Sequence, residues 1–183
     1  MENTPKFMII RVGDISENFT RSVLDRMQNG FDLKPIWGYN SNKCGGLSTT
    51  SQIRHKKLVS WSNEGNAYLL FLPKNKSSIV GVAKISIGEK RTTTNAENGW
   101  ISPTAIGDME WDIEIFIEKY WDVRKIDLLP SIFSYDTLMT IHQKKITQNS
   151  LLYFNESESL YQYLHYHVEY IVRNIKPHFE NIV

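Results

Sequence analysis

At 183 residues and 41% apolar side chains, the chain is long enough for one domain with a sizeable core and too apolar for a disordered protein. Its 21 basic and 20 acidic residues leave a formal charge of +1, which excludes a protein-wide field drawing it onto a polyanion, so any nucleic-acid contact has to be local. A lone Cys44 excludes an internal disulfide framework, suits a reducing compartment and reads as a bystander thiol, because no base stands near it in sequence.

The N-terminal stretch MENTPKFMIIRVGD has too short an apolar run for a signal peptide, and no later run reaches the length of a membrane span. A soluble intracellular protein, cytoplasmic or nuclear and without membrane contact, is expected. Phe7 to Val12 reads as a first strand. Ser16 caps a predicted helix in which Phe19, Val23, Leu24 and Met27 recur at helical spacing until Asn29 and Gly30 stop it. Next comes KPIWGYNSNKCGG, residues 34 to 46, where Asn40, Ser41, Asn42, Gly45 and Gly46 are turn formers and an irregular loop is predicted around Trp37.

The middle of the chain reads as strand. AYLLFLP from Ala67 and SIVGVAKISIG from Ser78 are short apolar runs joined by the turn-rich PKNKS, which predicts a hairpin. WDIEIFIEKYW places Trp111, Ile113, Ile115 and Ile117 on one face and Asp112, Glu114, Phe116 and Glu118 on the other, the alternation of a half-solvated strand. YDTLMTIHQ reads as a short helix. From about 157 to 176 an amphipathic helix is predicted, with Leu160, Leu164, Val168, Ile171, Val172 and Ile175 as its apolar stripe and Pro177 as its stop. Docking of that stripe on the chain's own sheet is expected.

Enzyme signatures are thin. The five histidines form no HExxH, and His165 and His167 lie two apart on a helix, pointing in different directions. No GxxxxGK[ST], GxGxxG or GxSxG occurs, so neither a phosphate loop nor a serine nucleophile is indicated. Glu114 and Glu118 share a strand face, but charged outer faces are common on antiparallel strands. No metal and no cofactor are expected.

The tryptophans are more informative. Trp61, Trp111 and Trp121 lie in or next to predicted strands and read as core. Trp37 and Trp100, the second within NAENGWISPTAIGD, sit in loop-like contexts, where an indole suits stacking on a flat ligand, worth about 1–3 kcal/mol per base.

The ordered set KFMIIRV, then IW after a helix, then AYLLFL turning into GVAKI, then a loop tryptophan followed by WDIEIFI, resembles the YTH domain. That domain belongs to the PUA-like group, which includes EVE and ASCH domains. The similarity spans roughly residues 6 to 130 by motif order, and the final helix by position. It implies an α/β (α+β) fold, a PUA-like mixed β-sheet or open barrel flanked by helices, forming a single domain over residues 1–183. It also implies a non-enzymatic reader of N6-methyladenine in single-stranded RNA, with modified DNA bases as the alternative in some relatives.

In that family an aromatic cage takes the methylated base, and the resemblance assigns Trp37 and Trp100 to two of its walls. Gly38 would accept the N6 hydrogen bond through its main-chain carbonyl, Asp14 would approach the base edge, and Asn40 lies beside them. The third wall falls near Ile106, Gly107 or Met109, where the family pattern has a tryptophan. The segment SVLDRMQNGFDLKP is longer than the pattern, which shifts the alignment around Asp14. Arg11 corresponds to a basic residue that touches phosphate, and Lys144 and Lys145 are a looser match.

Burying the methyl group alone contributes about 0.8 kcal/mol. A pocket shaped to sense it reaches about 1–3 kcal/mol. The near-neutral charge favours a short single strand over a long duplex footprint. A second class remains open, an ASCH-like or related PUA-like enzyme processing modified nucleosides with Lys84 and Glu114 as the acid–base pair. A third is an interaction module built on the final helix.

Overall fold

The computed structural model describes residues 4–12, 36–39, 49–73, 78–87, 113–143 and 151–180. Its strands are β1 (Lys6–Val12), β2 (Ile36–Tyr39), β3 (Ala67–Pro73), β4 (Gly81–Ile87), β5 (Ile113–Asp122), β6 (Leu151–Leu152) and β7 (Phe179–Glu180). Its helices are α1 (Thr49–Asn63), α2 (Leu129–Ile132), α3 (Tyr135–His142) and α4 (Ser159–Asn174), with a 3-10 turn at Val123–Lys125. The strands form one sheet in the order β2-β5-β4-β3-β1-β6, with β7 added beside β5. The fold is α+β, a mixed open sheet with flanking helices, as expected.

β1 and β3 run parallel, Lys6 opposite Ala67 and Val12 opposite Pro73. Both strands are covered on both faces, so their sequences are continuous apolar runs without alternation. Phe7 and Ile9 enter one core with Tyr68, Leu70 and Leu72, while Met8 and Ile10 enter the other with Ala67, Leu69 and Phe71. The hairpin of β3 and β4 forms as the sequence predicts, antiparallel from Ala67 opposite Ile85 to Phe71 opposite Gly81.

The first core is closed by α4, whose Leu160, Leu164, Val168 and Ile171 are buried at helical spacing. Fully burying one such side chain contributes about 1.5–3 kcal/mol, which outweighs the marginal intrinsic stability of a short helix. The predicted stripe therefore docks on the chain's own sheet. α3 starts at Ser134, whose hydroxyl accepts from the Thr137 N–H at 3.2 Å.

The second core is closed by α1, which the sequence analysis did not anticipate. Its residues TTSQIRHKKLVSWSN have almost no amphipathic pattern, and Leu58 is its one fully buried side chain among those described. It ends at Gly65, whose φ of 71° lets the N–H groups of Gly65 and Asn66 turn back to the carbonyls of Ser62 and Trp61. Trp61, read from sequence as a core residue in or next to a strand, lies instead in the last turn of this helix, half-buried against Tyr153. The predicted helix beginning at Ser16 lies outside the described residues.

Candidate nucleic-acid interface

The residues assigned by resemblance divide sharply. Asp14, Asn40, Trp100, Ile106, Met109, Lys144 and Lys145 lie outside the described residues, as does Trp111. Arg11 sits in β1, opposite Leu72 of β3. Trp37 and Gly38 are not in a loop, as the turn formers around them suggest, but in β2. There Ile36, Trp37 and Tyr39 are strand formers, and the free edge of β5 supplies backbone partners.

The pairing of β2 fixes what lies near Trp37. Trp37 is opposite Ile115, Gly38 opposite Glu114 and Tyr39 opposite Ile113. On the other side of β5, Ile87 at the end of β4 is also opposite Ile115. The segment 88–112, which carries Trp100, therefore leaves the sheet two strands from Trp37, about 10 Å away, and rejoins it at the partner of Tyr39.

Farther along β5 the register changes. Ile117 is opposite Ile85, yet Lys119 is opposite Lys84, so Glu118 is an extra residue in a β-bulge. Ile115 and Ile117 before the bulge face the second core, whereas Trp121 after it faces the first. Lys119 and Lys84 then share a cleft of about 250 Å3 with Arg173, lined also by Asn66, Tyr68 and Trp121.

Each cation in this cleft has a carboxylate partner: Lys84 with Glu118 at 3.9 Å, Lys119 with Glu180 at 3.3 Å and Arg173 with Glu169 at 3.0 Å. The C-terminal ends of α1 and α4 both approach it, and their partial negative charge also favours cations there. Lys84 and Glu114 do not form the acid–base pair considered from sequence. Glu114 is five residues from the register partner of Lys84 along β5, about 17 Å in extended chain, and Lys84 engages Glu118.

The cleft is closed by the chain after α4. Trp121 Nε1 donates to the Ile175 carbonyl at 2.7 Å, and the Asp122 N–H donates to His178 Nδ1 at 2.8 Å. Asp122, nearly buried, takes a bidentate contact from Arg124 at 3.0 and 3.1 Å, which raises the Arg124 pKa through that hydrogen bond. The core assignment of Trp121 is confirmed, and its exposure is 2%.

A second concavity, about 200 Å3, lies where α1 and the start of α4 meet β1. Its lining is Lys6, Phe7, Lys57, Trp61, Tyr153, Glu156 and Tyr161. Sequence reasoning missed it, because its aromatic walls come from β1, α1, α4 and the segment after β6. Only the abundance of tyrosine late in the chain hinted at it.

Among the described residues, no group of three or more His, Cys, Asp or Glu could hold a metal ion, and no helix is long and apolar enough to cross a membrane. No family model and no curated protein matches the sequence. Among solved structures the chain is similar to a mutant of the ASCH protein from Zymomonas mobilis, at 13% identity and a TM-score of 0.49 over 88% of this chain and 95% of that one. It is also similar to the YTH domain of the Zygosaccharomyces rouxii MRB1 protein, crystallised with N6-methyladenosine RNA, at 13% identity and a TM-score of 0.36 over 93% of this chain and 92% of that one.

Proposed function

We propose that this protein is an RNA-binding module, not an enzyme, and that it reads N6-methyladenine in single-stranded RNA with Trp37 and Trp100 as facing walls. The observation that carries the reading is the pairing of β2 with the start of β5, which puts Trp37 one strand from Ile113 and two strands from Ile87, the residues between which the segment bearing Trp100 runs. The ordered motif set adds support, and so does the main chain of Gly38, opposite Glu114 in the same ladder. A base flipped from a single strand has little stacking to lose, so the wall-to-wall contact goes into affinity.

The test is a fluorescence titration with paired RNA oligonucleotides that differ by one N6-methyl group. The methylated strand is expected to bind about tenfold tighter or better, the range open to a pocket that senses one methyl. Trp37→Ala and Trp100→Ala are each expected to abolish that preference while circular dichroism stays unchanged. Equal affinity of the wild type for both strands rejects the reading.

A further inference from the structure

We infer that the concavity between α1, β1 and the start of α4 is a second nucleobase-stacking subsite, with Lys6 and Lys57 at its rim taking the phosphates beside the stacked base. The inference deepens the proposed function and rests on it only in taking single-stranded RNA as the ligand. Three half-buried rings, Trp61, Tyr153 and Tyr161, line the pocket, and each keeps part of its surface open to it. Trp61 and Tyr153 stand 5.9 Å apart between centroids and are inclined by 51°. Tyr161 is held in place by a near-parallel stack on Phe7, 5.2 Å apart and 8° from coplanar.

Rings fixed in this way lose little freedom when a flat ligand arrives, which is the condition under which stacking adds most to affinity. The volume is below the roughly 300–1,000 Å3 of ordinary small-molecule sites and suits a single planar ring system.

The charges point to a nucleotide and not to a neutral aromatic. Lys57 Nζ lies 4.2 Å from the centroid of the Tyr153 ring, so a cation covers that face of Tyr153 and stands at the edge of the space in which a base would lie against Trp61. Lys6 is paired with Glu64 at 3.0 Å, with both side chains more than 40% exposed. Such a surface pair contributes little, so Lys6 can exchange its carboxylate for a phosphate. Among the described lining residues Glu156 is the one carboxylate, and it is exposed. Burial, reinforced by the charges of Glu156 and Tyr153, raises the Tyr161 pKa, so its hydroxyl stays protonated and remains a donor to a base edge.

The position separates this subsite from the Trp37 corner. β1 is four strands from β2 in the sheet order, about 19 Å at ordinary strand spacing, so the two places hold different nucleotides of one strand.

The experiment uses the full chain and an unmodified oligouridylate of about ten nucleotides, within the span of single-strand binding sites. Kd is measured by fluorescence anisotropy, and ultraviolet crosslinking followed by peptide mapping locates the contact. Expected are a crosslink in the peptide containing Trp61 or Tyr153, about tenfold weaker binding for Trp61→Leu, and about threefold weaker binding for Lys57→Gln. Trp61→Phe, which keeps a flat ring, should retain most of the affinity, a rescue that a purely structural role for the indole would not require.

Wild-type affinity in both Trp61→Leu and Lys57→Gln overturns the inference, as does failure of the wild type to bind the oligouridylate. Loss of the methyl preference with the Trp61 effect intact would sink the base-reading proposal alone. A kept methyl preference with no Trp61 effect would sink this one alone.

Discussion

The two halves of β5 do opposite things with the same backbone. In the first half, Ile115 and Ile117 are fully buried in the second core, Phe116 between them is half-buried, and β2 occupies the outer edge opposite Ile113 to Phe116. In the second half, Tyr120 faces the second core and Trp121 the first, Lys119 reaches the cationic cleft, and β7 takes the same outer edge opposite Lys119 and Tyr120. One inserted residue, Glu118, separates the two regimes. A strict period of two would have turned Lys119 into the second core, where an unpaired ammonium costs several kcal/mol. The bulge thus lets one strand contribute large apolar groups to both faces of the sheet while keeping its lysine beside water.

Exchanging Lys119 and Tyr120 breaks this contrast most directly. The double variant Lys119→Tyr with Tyr120→Lys turns an ammonium into the second core and a phenol ring toward the cleft, and the expected loss exceeds about 4 kcal/mol, enough to abolish a cooperative urea transition. A double variant with a near-native midpoint would show that the facing set by the bulge is incidental.

Gly81→Ala strikes the second half alone. A methyl group there would overlap the Tyr120 ring, whose hydroxyl is buried without a hydrogen-bond partner among the described residues. Neither backbone nor ring has room to yield, so about 3 kcal/mol of lost stability is expected by chemical denaturation. The stretch around Ile115 and β2 should keep its native hydrogen-exchange pattern under folding conditions.

The smallest effect concerns the helix covering the second half. His167 on α4 is packed edge-on against Tyr163, Tyr166 and Phe133, and desolvation lowers its pKa. The folded protein therefore takes up this proton less readily than the unfolded chain. The corresponding stability is present above the unfolded value of about 6.5 and is lost as pH falls below it toward the folded pKa. Urea midpoints should decline slightly from pH 7.5 to about pH 5.5, and His167→Gln should flatten that decline. An equal decline in the variant would assign it to other groups.

The fold was legible in the sequence wherever burial imposed a period. AYLLFLP and GVAKISI announce a doubly covered hairpin, and Leu160, Leu164, Val168 and Ile171 announce the docked face of α4. α1 was not legible, because a helix that buries only Leu58 deeply leaves no stripe for a periodicity argument to find. The bulge was equally silent, since WDIEIFIEKYW alternates without a break and only the partner strand reveals that Glu118 is unpaired. For the candidate site, Trp37 was placed in a loop although it lies in β2, because turn formers on one side outweighed the strand formers Ile36 and Tyr39 near it. The pocket of Trp61, Tyr153 and Tyr161 had no local signature, as contacts assembled from four segments leave none.

The first strand has a consequence for how the molecule is made. Lys6 to Val12 needs partners that follow much later in the chain, Ala67 to Pro73 on one side and Leu151 and Leu152 on the other. During synthesis this greasy ribbon emerges before either partner and waits with both borders bare, while the local β3–β4 hairpin can close as soon as it appears. Completion of this side of the sheet must wait until Leu151 and Leu152 have left the ribosome. Until then, protection against clumping falls to the nascent chain's own hairpin or to a chaperone.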